Sequence, residues 1–194
     1  MAKTIWYLSL IEIYLIVRIR TIRLELGITA KEISLFLKKN PEYIGNIESS
    51  AHNAKYNDEV LSLIAVYFTL MAKEKQKELL AAQDETVIQT EYTIHDFYPS
   101  EILSDEKVIK KIDPIPHDSG PTGTLNALIE STDFFETART LKEIVEKANS
   151  VQNQNWEASN FTQPLENAVK GKNKRLRVVL KDGFNTYILH KRRK

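Results

Sequence analysis

The chain has 194 residues, 42% hydrophobic and 27% charged, a composition that supports one large or two small packed domains and argues against wholesale disorder. It contains no cysteine, which excludes disulfides, thiolate metal sites and cysteine nucleophiles. The formal net charge of +1 conceals an uneven distribution: residues 1–75 hold 10 basic against 8 acidic side chains, residues 76–118 hold 4 against 10, and residues 119–194 hold 13 against 8. An acidic middle followed by a basic end, with ten basic residues against Asp182 alone from Lys170 to Lys194, points to a polyanionic partner.

The run Thr4–Val17, TIWYLSLIEIYLIV, is too short to span a bilayer and contains Glu12. A signal peptide would carry its positive charge ahead of the apolar stretch, where only Lys3 stands, so no membrane association and a cytoplasmic location are expected. Leu8, Ile11, Leu15, Ile19, Ile22 and Leu26 recur at steps of three and four and predict an amphipathic helix over Ile5–Leu26, stopped by Gly27. Trp6, Leu10, Ile13, Tyr14 and Ile16 add a second apolar face that needs its own cover. Two covers are open: residues 72–98 of the same chain, or a homodimer seam along this N-terminal helix.

Thr29 with Glu32 three residues on is a capping-box signature for a short helix to Leu37. Lys38-Lys39-Asn40 make a turn, and Asn40 followed by Pro41 opens a helix to about Glu48. A polar loop leads to a helix from Asp58 to about Met71, with Val60, Leu61, Ile64, Ala65 and Phe68 inward. AKEKQKELLAAQDE is able to extend it, TVIQTEYTIHDFYP has no clean period, and the proline-rich DPIPHDSGP reads as a linker. The boundaries predicted are 1–75 for a helical domain, 76–118 for an acidic, partly irregular connector, and 119–194 for a second domain.

In that second domain, Thr124–Ser131 and Thr140–Ser150 are predicted helices, the latter with Leu141, Ile144, Val145 and Ala148 on one face. A third covers Ala158–Lys170 with Phe161, Leu165, Ala168 and Val169 inward, bent or delayed by Pro164. The period then becomes alternating: Leu176, Val178 and Leu180, a turn over Lys181–Asn185, and Tyr187 and Leu189, a β-hairpin across an Asp-Gly turn. The fold class expected is mainly α, with the small hairpin near the C-terminus.

The stretch IRTIRLELGITAKEISLFLKKNPEYIGNIES resembles the Xre/Cro-type helix-turn-helix family, through Arg23, Gly27, Ile28, Thr29, Ile33, Ser34, Leu37, Ile44, Ile47 and Glu48. The resemblance covers about residues 16–70. It implies that the third helix enters the major groove while the second lies across the backbone. Glu42, Tyr43 and Asn46 would then face the groove, with Asn40 at the helix start, and Lys38, Lys39 and Lys55 would supply phosphate contacts. It also implies an internal ion pair between Arg23 and Glu48. The chain departs from the family pattern at Ala30, where glutamine is usual, and at Lys38 and Lys39, where glycine and an apolar residue are usual. The third helix carries no Arg or Lys, so bidentate guanine readout is absent from it. The C-terminal part is similar to winged-helix domains in its order of elements. That similarity implies groove contacts from Thr162, Gln163, Asn167 and Lys170, and phosphate or minor-groove contacts from Lys174, Arg175, Arg177 and Lys181.

Four dispersed histidines and scattered carboxylates form no recognisable metal or catalytic pattern, so neither a metal, a cofactor nor an enzymatic activity is expected. The sequence points to a sequence-specific DNA-binding transcriptional regulator acting on duplex DNA as a homodimer. The alternative is an antitoxin-like or adaptor protein whose N-terminal module binds a protein partner and whose C-terminal module binds nucleic acid.

Overall fold

Ser9 decides where the first helix begins. Its hydroxyl accepts from the Glu12 amide while the Glu12 carboxylate accepts from the Ser9 amide at 2.9 Å, a reciprocal cap that opens α1 (Leu10–Leu26). The expected helical start at Ile5 is therefore corrected. Tyr7–Ser9 (β1) is a strand, paired antiparallel with Lys107–Ile109 (β2), with Leu8 opposite Val108. The computed structural model describes residues 4–83, 86–104, 106–170, 174–181 and 183–190. It is mainly helical, and among the described residues two small antiparallel sheets accompany the helices. The chain divides into two compact units, Met1–Ile112 and Asp113–Lys194.

In the first unit Gly27, at φ 77°, closes α1 in the left-handed conformation. The capping box of Thr29 and Glu32 starts α2 (Ala30–Phe36). The next helix, α3 (Tyr43–Ile47), is shorter than expected: Asn40 Oδ1 accepts from the Glu42 amide at 2.9 Å and holds the preceding residues in a turn. Asn57 caps α4 (Asp58–Ala81), which continues well beyond Met71.

The acidic stretch expected as a connector belongs mostly to this unit. Residues 72–81 complete α4, and residues beyond 86 fold back along it. Gln76 Oε1 accepts from the Ile88 amide at 3.0 Å, and Thr69 Oγ1 accepts from the Tyr92 amide at 2.9 Å. Tyr92 and Phe97 then meet Phe68 edge-on, each ring centroid at 5.8 Å. Phe97, in a 3-10 turn over Ile94–Phe97, is fully buried in the core formed by Leu15, Ile16, Ile19, Ile64 and Phe68. Of the second apolar face of α1, Ile16 is buried and Ile13 packs against this core, whereas Tyr14 stays exposed.

The second unit runs α5 (Pro121–Ser131), a 3-10 turn at Phe134–Glu136, β3 (Arg139–Thr140), α6 (Leu141–Gln152), a 3-10 turn at Ala158–Phe161, α7 (Thr162–Val169), β4 (Leu176–Lys181) and β5 (Phe184–Leu189). Pro121 at the first position starts α5 earlier than the expected Thr124. Pro164 falls in the first turn of α7, where the amide it lacks would have no helical acceptor, so the helix is delayed by a 3-10 turn rather than kinked. The sheet order is β3-β5-β4, all antiparallel. Leu125, Leu128, Phe135, Ile144, Phe161, Leu165 and Leu176 form the core between the helices and the base of the hairpin.

Candidate nucleic-acid interface

The position of α3 is fixed by buried polar groups. Arg23 is 1% exposed and Glu48, just past α3, is 8% exposed. Arg23 Nε donates to Glu48 Oε1 at 2.7 Å and Nη2 to Oε2, a forked pair joined by Arg20 Nε at 3.5 Å from Oε2. Arg23 Nη1 also donates to the Ile28 carbonyl at 3.1 Å, which ties the pair to the turn before α2. From α2, Ser34 Oγ donates to the Ala30 carbonyl at 2.8 Å and accepts from the Ile44 amide at 3.1 Å. That bond satisfies an amide at the start of α3, and Ser34 itself is fully buried.

Sequence reasoning missed a third anchor. Lys110 is 2% exposed, and its Nζ donates to the carbonyls of Ile47 at 2.7 Å, His52 at 2.9 Å and Ala54 at 2.9 Å. It caps the last turn of α3 and gathers the loop that follows. Burial pushes its pKa down to about 8. The one signal for it was the alternation of Val108, Lys110 and Ile112, which places Lys110 on the inward side of an extended stretch. Ile112 is tied as well, its amide donating to Ser50 Oγ at 2.9 Å.

Of the residues expected to face DNA from this unit, Lys38, Lys39, Asn40 and Glu42 are exposed, while Tyr43 and Asn46 are half-buried, Tyr43 against the core. Lys55 is exposed but ion-paired with Glu12. Lys38 occupies the left-handed region at φ 55°, the conformation that makes glycine usual at that turn in the resembling family. Gly45 is exposed with open space beside it, so the outward side of α3 offers Glu42 and Asn46 and no cation.

In the second unit Thr162 and Asn167 are exposed, and Gln163, half-buried, donates to Asn167 Oδ1 at 3.0 Å. Lys170 is exposed and ion-paired with Glu166. Lys174, Arg177 and Lys181 are exposed along the chain entering and forming β4. Arg175, expected at a phosphate, is half-buried, and its Nη2 donates to Oδ1 of the buried Asn126 on α5 at 2.6 Å. Its amide donates to the Ala168 carbonyl at 2.8 Å, so it joins α5, α7 and β4. Asp182 of the expected turn, and residues 171–173 and 191–194 of the basic stretch, lie outside the described residues.

No family model matches this chain, and no curated protein or solved structure matches it. Among the described residues no helix is long and apolar enough to cross a membrane.

Proposed function

We propose that this chain is a non-enzymatic, sequence-specific DNA-binding transcriptional regulator in which the C-terminal unit makes the principal duplex contact. The observation that carries this reading is the placement of charge in that unit. Exposed Lys174, Arg177 and Lys181 follow directly on α7, whose exposed side bears the hydrogen-bonding groups of Thr162 and Asn167. Helix, short strand, two helices and a hairpin, with sheet order β3-β5-β4, resembles the element order of winged-helix domains and supports a reading in which the third helix lies in the major groove. Cations on the hairpin supply affinity through phosphates, and the polar face of α7 supplies base readout. The likeness of α2 and α3 to Xre/Cro-type helix-turn-helix proteins supports a second contact through Asn46 and Glu42, with Lys38 and Lys39 on the backbone.

A second reading is favoured by one feature of the first unit. Leu63, Val66 and Leu70 form an exposed apolar stripe on α4, beside the stacked rings of Phe36 and Tyr67. Together with the absence of a cation on α3, this supports an adaptor whose N-terminal unit binds a protein while the C-terminal unit binds nucleic acid.

Selection of bound fragments from random duplex DNA by the full chain tests both. A regulator enriches a defined motif, and binding weakens steeply with salt. Gln163→Ala with Asn167→Ala should relax the motif. Asn46→Ala should alter it if the first unit reads DNA, and should leave it unchanged in the adaptor. No enriched motif, or a flat salt response, overturns the regulator.

A further inference from the structure

Helix α4 carries a second pattern outside its buried face. Val60, Leu61, Ile64, Ala65, Phe68 and Ala72 are buried, yet Leu63 is 41% exposed, Val66 54% and Leu70 49%. Continued in both directions, their steps of three and four add Glu59 before them and Lys73 and Lys77 after them, all exposed. At about 100° per residue these positions form one stripe about 80° wide and about 27 Å long. Alternating steps of four and three are those of a coiled-coil seam. The stacked rings of Phe36 and Tyr67 border the apolar centre on one side. Asp58 falls beyond one border of the stripe, and Glu74 and Glu78 fall beyond the other. Among the described residues Glu59 and Lys77 have no ion-pair partner, while Lys73 has an exposed one, Glu91, at 3.1 Å.

The stripe is therefore acidic at its N-terminal end, apolar in the middle and basic at its C-terminal end. We propose that it is the seam of a homodimer in which α4 of one copy lies antiparallel to α4 of another, with the two-fold axis crossing the turn between Val66 and Leu70. A two-fold interface has to complement itself, and only the antiparallel sense does so here. Glu59 of each copy meets Lys73 and Lys77 of the other, and Leu63, Val66 and Leu70 interleave between the two ends. The parallel sense would set Glu59 against Glu59 and lysine against lysine, which costs affinity. Burial of the apolar centre supplies the driving force, and the terminal charges select direction. Lys73 gives up little in turning from Glu91, because an exposed pair contributes little in water. The inference goes beyond both functional readings: it assigns to a second copy the stripe that favours the adaptor, and it holds whether or not either unit binds DNA.

Sedimentation velocity of the full chain, without DNA and over a concentration series, tests it. Wild type should dimerise, and Val66→Glu should abolish the dimer. Glu59→Lys alone sets like charges together at both ends and should raise the dimer dissociation constant by about tenfold or more. Lys73→Glu combined with Lys77→Glu should do the same. An equimolar mixture of those two variants should recover dimerisation, because each end then pairs opposite charges again. All the substituted side chains are exposed, and far-ultraviolet circular dichroism is the control for folding. A wild type that stays monomeric overturns the seam and returns the stripe to a different protein. A dimer indifferent to Glu59→Lys, as a parallel pairing or a seam elsewhere would be, also overturns it, as does a mixture that fails to recover. None of these outcomes bears on the DNA-binding reading, which selection from random duplexes tests separately.

Discussion

The two units differ in what they add to the apolar packing of their third helices. In the first, a five-residue helix buries Ile44 and Ile47 in the core and is held in addition by charge turned inward: Arg23 and Arg20 on Glu48, and Lys110 on three carbonyls. In the second, α7 is held by apolar packing of Pro164, Leu165 and Ala168, and the cations of the hairpin other than Arg175 remain at the surface. Buried charge fixes a position because an unpaired charge there is costly, but it leaves nothing for a ligand. Exposed charge contributes little to stability and is available to a polyanion. Charge counts along a sequence do not separate these uses, whereas burial does.

The strongest way to break this contrast is Glu48→Ala. It strands Arg23, and about 3–5 kcal/mol should be lost, because one partner of a buried pair is removed. Hydrogen exchange across the full chain should show protection lost in residues 10–81 and retained in α5–α7. Equal loss in both units would mean that the contrast is false. Lys110→Met should cost less, roughly 1–3 kcal/mol, since carbonyls lose donors but the buried charge disappears with them.

The same variant carries a pH test. A lysine whose folded-state pKa is about 8, against the ordinary 10.5, loses its proton in the folded chain first. Between those values the unfolded chain holds the additional proton, so rising pH favours the folded state through this group. Denaturant titrations from pH 7.5 to 10.5 should show that contribution in wild type, and the difference curve against Lys110→Met should isolate it. A difference curve that is flat or slopes the other way would contradict the inward burial of Lys110.

A smaller effect of the opposite sign is expected at Lys38. Lys38→Gly relieves the left-handed backbone and should raise stability by up to about 1 kcal/mol, read as a higher denaturant midpoint with unchanged slope. Least of all for stability, Arg177→Ala combined with Lys181→Ala should leave the fold within about 0.5 kcal/mol. It should instead make the salt dependence of DNA binding shallower by about 2 in the log–log slope, one for each phosphate contact removed. A steep loss of stability from this pair would show that the hairpin cations are structural after all.

Local chemistry was the most legible part of the sequence. Caps such as Thr29 with Glu32 announced helix starts, Gly27 announced a stop, and the alternation from Leu176 to Leu189 announced the hairpin. Ser9 with Glu12 was an equally good cap, but it was hidden inside a continuous apolar stripe. The strand before it depends on residues 107–109, a pairing too distant for periodicity to reveal. Residues 86–98 have no period because their backbone is partly satisfied by side chains of α4, not by a ladder of their own. The two-residue β3 is too short to carry a pattern, and its existence is set by β5. At the candidate interface, residue types were legible but partners were not. Lys55 and Lys170 read as free cations, and each has a carboxylate beside it.

Lys110 and Ile112 are fastened to residues 47–54, and Asp113 already belongs to the second unit. The crossing from one unit to the next therefore leaves from the very end of α3. A truncation at residue 75 would cut away the rear wall and the latch of the bundle, so a usable fragment has to extend to Ile112.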